Sequence, residues 1–382
     1  MAARKRKHGL GESSDFAMPI YLVLEREDEQ SDYSVLKIDA AAAVAGSGNE
    51  ASRARIVSGL PGAERGMSFV AAYSRFGSWI VGVGGSSVRT IVFDLTTLEM
   101  SWGPRLMHPK HQPVLISHGD QVYVISRRPR FARGVDFDPW FECFCFNNGG
   151  VNKITQEYLP PPPFLPCFMD PYEYRNLPEF CISSYAAVGS HILFSVQPEL
   201  GTYAFHVLNK TWEKIWDKNL PFVEQAMPLG GNLFAACRRS NDCATAVVSL
   251  FYMSINVSLT TPMVDVSTPS LSIQEFPLGA SEGNITWPIL CPLGKGSFCS
   301  IKSTHLIRHK TNFLKEIQVI LTAIQLENID AVLSACKHQG ARSKDLRVAL
   351  QVKEQSHTYR YNCKGRYQLL DSHMPVVAAL SC

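Results

Sequence analysis

Few side chains in this chain stand at spacings that could do chemistry. Gly82-Val83-Gly84-Gly85-Ser86 resembles a glycine-rich phosphate loop. A dinucleotide fingerprint needs a further glycine and a following helix, because the phosphates rest on a helix N-terminus. Position 87 is Ser and strand-type sequence follows, so the segment reads as a turn between strands. Leu293-Gly294-Lys295-Gly296-Ser297 lacks the spacing of a Walker loop. His305 and His309 are four apart and would share one face of a helix, but no Glu stands between them as a His-Glu-x-x-His site requires, and Arg308 adds positive charge. They read as strand or surface histidines. Cys143 and Cys145 on a strand would point to one face. Metal-binding pairs have more intervening residues, so core packing is expected. His108 and His111 flank Pro109 in a loop with no metal-site spacing around them, and no Gly-x-Ser-x-Gly elbow occurs. The expectation is a chain with no catalytic residue, no cofactor and no metal.

Binding signals are stronger. Arg4-Lys5-Arg6-Lys7 is a compact basic run, a candidate nuclear import signal or phosphate contact. Arg127, Arg128, Arg130, Phe131 and Arg133, running on to Trp140, form a basic and aromatic connection that is long for a hairpin. Guanidinium groups beside aromatics suit acidic or planar partners. The bland alternative is a solvated loop whose aromatics pack back on the sheet. Pro160 to Pro163, then Phe164-Leu165-Pro166, favour polyproline II, and are read as a stiff crossing between sheets rather than a docking strip.

The elements that would carry these residues are strands. Of the 382 residues, 46% are apolar and 19% charged, a balance that supports a large core and excludes general disorder. The net charge of +3 is too small for a dedicated nucleic-acid binder, so nucleic acid is an unfavoured partner. No apolar run is long enough to span a bilayer, and the N-terminus lacks a secretory h-region. Eleven cysteines, an odd number, fit a reducing compartment. A cytoplasmic or nuclear location is expected.

Residues 1–17 read as a disordered basic tail and 18–382 as the folded unit. Ile20-Tyr21-Leu22-Val23-Leu24 and Tyr33 to Ile38 open a series of short runs rich in β-branched and aromatic residues. The best helix candidate is Ile329 to Lys337 with Asn328 as its cap. First strands at Val81, Val122, Ile192, Leu233 and Phe298 lie 41, 70, 41 and 65 residues apart. The spacing near 41 matches a propeller blade. The two long intervals hold expected insertions, Leu159 to Pro178 and Ser254 to Pro288. The arithmetic suggests about six blades.

One unit is clearest. Trp79 to Gly85 is a strand ending in Gly84-Gly85, Thr90 to Leu95 is a second strand ending in Asp94-Leu95, and Trp102 follows on a third. Adjacent glycines allow positive φ and close approach, the Asp accepts turn N–H groups, and Trp102 is expected to pack between sheets. This unit resembles a kelch repeat, and Asn209-Lys210-Thr211-Trp212-Glu213 looks like the end of a second. The double glycine is missing from the units starting at Val122, Ile192 and Phe298, and Gly230-Gly231 precedes its strand. The whole chain also resembles an uncharacterised kelch-like propeller family of plants, expanded in grasses. The resemblance implies an all-β, kelch-type propeller that acts as a non-enzymatic protein-interaction scaffold, and it supplies no catalytic residues. Many plant kelch proteins carry an N-terminal F-box, for which strand-like sequence from Pro19 leaves no room. Some kelch propellers are copper oxidases, but no local pattern marks that site here. Two alternatives follow: a cryptic oxidase or hydrolase-like enzyme with a central-pocket site, and a nuclear protein touching nucleic acid through tail and loop.

Overall fold

The computed structural model describes residues 19–25, 33–38, 54–128, 140–147, 153–165, 180–239, 246–257, 269–278, 288–294, 296–307, 314–338, 350–362 and 376–381. The basic tail, Arg130, Phe131, Arg133 and His309 lie outside them.

The chain is all-β, with one helix among the described residues. Strands β1 (Ile20–Glu25), β2 (Tyr33–Ile38) and β3 (Ala54–Gly59) form an antiparallel meander, and β24 (Val376–Ser381) pairs with β1. Next come β4 (Met67–Ser74), β5 (Gly77–Gly84), β6 (Thr90–Asp94) and β7 (Met100–Trp102) in sequence order. A third sheet holds β8 (Val114–His118), β9 (Gln121–Ile125), β10 (Phe141–Cys145) and β11 (Thr155–Tyr158). Meanders β12 (Cys181–Val188), β13 (His191–Gln197), β14 (Thr202–His206), β15 (Thr211–Trp216) and β16 (Val223–Gly230), β17 (Leu233–Arg239), β18 (Ala246–Val257), β19 (Pro269–Pro277) join through β12 and β16. That joint is a short parallel pairing, Ser184 opposite Glu224 and Tyr185 opposite Gln225. The last sheet is β20 (Ile289–Gly294), β21 (Ser297–Ile307), β22 (Leu314–Leu326) and β23 (Val352–Asn362).

The sheets follow one another around an axis. Strands β4, β8, β12, β16, β20 and β24 are the inner members, each next to the inner strand of the following sheet, and β24 touches both β20 and β4. Each buried cluster lies between two consecutive sheets. Tyr21 and Val23 of β1 pack with Phe69, Ile80 and Phe93 of the second sheet. Ile20, Leu22 and Leu24, which point the other way, pack with Ile301, Val319 and Leu321 of the last. Side chains alternate faces along a strand, and here both faces are covered. The unbroken apolar run Ile20 to Leu24 is therefore a strand buried on both sides. The closed ring of sheets is the arrangement of a β-propeller.

One sequence expectation changes. Ser254 to Pro288 is not an insertion throughout: β18 continues to Val257 and β19 takes up 269–277 as the outer strand of its sheet. The alternating polar pattern of an outer strand, Pro269 to Pro277, does not stand out among Ser and Thr. In the Pro-rich segment, Leu159, Phe164 and Leu165 are buried, and Phe164 meets Tyr203 and Trp212 of the next sheet. The described part thus crosses between sheets, and 166–178 lie outside the described residues.

Helix α1 (Ile329–His338) lies where the apolar spacing predicts. Ile329, Val332, Leu333 and Cys336 recur at helical intervals and face the cluster between the last two sheets. The Asn328 carboxamide accepts the Gln351 N–H at 3.1 Å, tying the start of α1 to the approach to β23. No helix among the described residues is long and apolar enough to cross a membrane.

Gly84 shows why the double glycine matters. Its φ is +108°, and a Cβ there would sit 2.4 Å from the Lys110 carbonyl oxygen. Gly84→Ala should cost about 2–3 kcal/mol, read as a lower urea midpoint, because strained φ and a backbone clash add.

Candidate functional site: the central cavity

The inner strands enclose a cavity of about 500 Å³ on the axis. Phe69 and Ala71 of β4, Met227 of β16, Ile289 and Leu290 of β20, and Val377 and Ala379 of β24 make much of its wall apolar. Cross-strand bonds brace one side. The Tyr73 hydroxyl donates to the Ser381 carbonyl, and the Ser381 hydroxyl donates to the Pro292 carbonyl, linking β4, β24 and β20.

One wall residue, Glu224, is ion-paired to Arg127. Arg127 Nη1 lies 2.6 Å from Glu224 Oε1 and Nη2 2.9 Å from Oε2, a two-pronged contact that fits guanidinium to carboxylate. Arg127 Nε also donates to the Gln112 carbonyl at 3.3 Å, and the Arg127 carbonyl accepts the Ile182 N–H at 3.0 Å. Arg127 thus spans from the second sheet's exit loop to β16. Burial opposes its charge, but the Glu224 carboxylate beside it outweighs that and raises its pKa. Glu224 has φ +59°, uncommon for a residue with a Cβ, and β16 breaks register around it. The guanidinium holds this strained residue in place.

Two other ionisable groups on the wall are shifted upward. Burial, then the Glu224 charge, pushes the Cys237 thiol up to about 12. Burial and the same carboxylate push the Tyr185 phenol up as well, against the opposing effect of Arg127. A neutral thiol is a poor nucleophile.

Strain at Glu224 can be separated from its charge. Glu224→Ala and Glu224→Gly both lose the ion pair, but only Gly relaxes φ +59°. The Gly variant should be more stable than the Ala variant by about 1 kcal/mol, by chemical denaturation.

The structure scatters the sequence-predicted residues. Arg127 is committed to Glu224 behind the cavity wall, Arg128 is exposed, and Trp140 is 5% exposed within the core between the third and fourth sheets. Gly85 also has positive φ, +93°. Asp94 Oδ1 accepts the Thr96 and Thr97 N–H groups at 2.7 and 3.0 Å, and Oδ2 accepts Trp79 Nε1–H at 3.0 Å. Trp102 corrects an expectation. It does not pack between sheets: it is 51% exposed on the short outer strand β7, with Arg89 5.2 Å from its ring centre and its edge over Gly62. Trp79, 1% exposed and stacked on Phe146, does that packing in its sheet. Trp212 packs against Phe141, Phe194 and Phe205 and donates Nε1–H to the Pro160 carbonyl at 2.9 Å. Cys143 and Cys145 share a face toward the fourth sheet, as period-two alternation predicts.

Sequence reading missed Tyr73, Tyr185, Glu224 and Cys237, which no local pattern marks. It also missed a buried ion pair beside the ring. Lys110, in the loop before β8, donates to Glu142 of β10, and Gln156 Nε2 donates to the same carboxylate. Their side chains are 2% and 0% exposed. Among the described residues, no group of three or more His, Cys, Asp or Glu is gathered for a metal ion.

The sequence profile of a family described as "Protein of unknown function (DUF1668)" matches residues 18–357, and the chain belongs to that family. No curated protein matches it. Among solved structures, it is similar to the β-propeller domain of Cps50 (Swd1) from Myceliophteria thermophila. The identity is 10%, with 80% of this chain and 97% of that one covered, at a TM-score of 0.37. It is also similar to the WD40 domain of SCAP from fission yeast, at 8% identity, covering 89% of this chain and 74% of that one, with a TM-score of 0.34.

Proposed function

We propose that the chain is a non-enzymatic interaction scaffold, a six-bladed propeller of kelch-like type. Each four-stranded meander is one blade in this reading. The double glycine at Gly84-Gly85, the Asp94 turn and the Trp212 strand support the kelch-like assignment. The observation that supports the scaffold reading is the closed ring of sheets, whose inner strands β4, β8, β12, β16, β20 and β24 each meet the next and give a rigid frame for rim loops.

Protein partners are met by loops carried on the rigid ring, since loops there vary without cost to the core. Arg128, Arg130, Phe131 and Arg133 are the candidate contacts. Arg127 and Trp140 position this loop: one clamps its start to Glu224 and the other anchors its end in the core. Arg4 to Lys7 is the candidate import signal.

The test is capture of partners from native tissue with the wild type and with an Arg128→Glu, Arg130→Glu, Arg133→Glu triple variant. A partner recovered by the wild type and lost by an equally stable variant supports the reading. Identical recovery by both removes the loop from it.

A further inference from the structure

We infer that the central cavity binds an uncharged, largely apolar small molecule carrying one N–H or O–H donor, which it presents to Glu224. The inference rests on the cavity being a binding rather than a catalytic site.

The size fits, since about 500 Å³ falls within the usual range of small-molecule sites. The wall selects apolar groups through Phe69, Met227, Ile289 and Val377. Ring closure uses much of the wall's hydrogen-bonding capacity, because the Tyr73 and Ser381 hydroxyls both donate to carbonyls of neighbouring inner strands. Glu224 is different. Each of its oxygens takes one N–H from Arg127, while a carboxylate has about four acceptor positions. The Glu224 side chain is 56% exposed and its Arg127 partner 19%. Acceptor capacity therefore faces open space while the cation sits behind it.

Charge decides the ligand class. The pair sums to zero, so it offers a free cation little attraction, and an anion would face the exposed carboxylate. A neutral donor meets neither problem and gains a bond to a charged acceptor. The strained φ of Glu224 points the same way. Backbone strain held by surrounding structure is a feature of ligand-binding positions, and here Arg127 fixes the carboxylate before any ligand arrives.

N-Phenyl-1-naphthylamine is a suitable probe, being uncharged, apolar and a carrier of one N–H. Its fluorescence rises in apolar surroundings. Titrated into the full chain, it should show saturable one-to-one binding. Glu224→Gln should weaken that binding roughly ten-fold, as expected for a lost bond to a charged acceptor. Gln225→Trp and Ser117→Trp fill the cavity from two different sheets, and either one that unfolds like the wild type should abolish saturation. The sulfonated analogue 1-anilinonaphthalene-8-sulfonate should bind at least about ten-fold more weakly, since an unpaired anion meets a like charge. Saturable binding that survives both filling substitutions would overturn the proposal, as would no saturable binding at all. Unchanged affinity in Glu224→Gln would overturn the role of the carboxylate, and equal binding of the sulfonate would overturn the neutral class. The loop-dependent capture of partners is read separately, so failure of either leaves the other standing or falling by its own result.

Discussion

Lys110→Met should destabilise the chain by about 3–5 kcal/mol, the usual result of leaving one member of a buried ion pair without its partner. Lys110 and Glu142 are almost fully excluded from water, and Gln156 fills only part of the carboxylate's demand. The double variant Lys110→Met, Glu142→Leu should recover most of the loss, and at neutral pH should equal or exceed the wild type. Removing two charges from water costs more than their attraction returns unless geometry is ideal. The pH dependence carries the same sign. Burial pushes the Lys110 ammonium below its ordinary 10.5, and the Glu142 charge restores only part of that. Between the lowered folded-state pKa and 10.5, the unfolded chain holds a proton that the folded chain has lost. Wild-type stability should therefore rise with pH through that window relative to the double variant, and the gap seen at pH 7 should narrow. Urea melts of the three proteins at two pH values measure both effects.

Phe141→Ala should cost a similar amount, about 3–5 kcal/mol, as expected for emptying a filled aromatic site. Phe141 is 0% exposed, and its ring meets Tyr123 of its own sheet and Phe194, Phe205 and Trp212 of the next. The contact with Phe205 is edge-on at 4.9 Å, a favourable quadrupole arrangement. Phe141→Leu should cost clearly less, since it keeps most of the volume. A Leu variant as stable as the wild type would mean that the ring stack contributes nothing beyond bulk. Comparable urea midpoints for Phe141→Ala and the wild type would remove the inter-sheet packing described here.

Strand identity was legible wherever both faces of a strand are buried. Ile20 to Leu24 and His191 to Val196 are apolar runs because each side chain meets one neighbouring sheet or the other. The turn chemistry at Gly84-Gly85 and Asp94 was legible for a different reason, that it is local. Outer strands were harder. Thr155–Tyr158 and Pro269–Pro277 alternate weakly and look like loop sequence. Trp102 misled because its burial depends on whether the adjacent sheet reaches β7, which no nearby residue reveals. The site was the least legible part. Glu224 meets Arg127 across 97 positions, and β16 around it is broken by its own strain and by Pro228, so no strand pattern announces it. Closure of the ring pairs Ile20 with Ser381, from opposite ends of the described chain.

That closure can be measured directly. Amide hydrogen exchange should compare the full chain with one ending at residue 375, which lacks β24. With β24 present, Ile20 to Leu24 should be among the most protected amides. Without it, their protection should collapse, together with that of β4 and β20, and unfolding should lose its single cooperative transition. Unchanged protection of β1 in the shortened chain would contradict a ring held shut by β24, and with it the cavity on which the binding role depends.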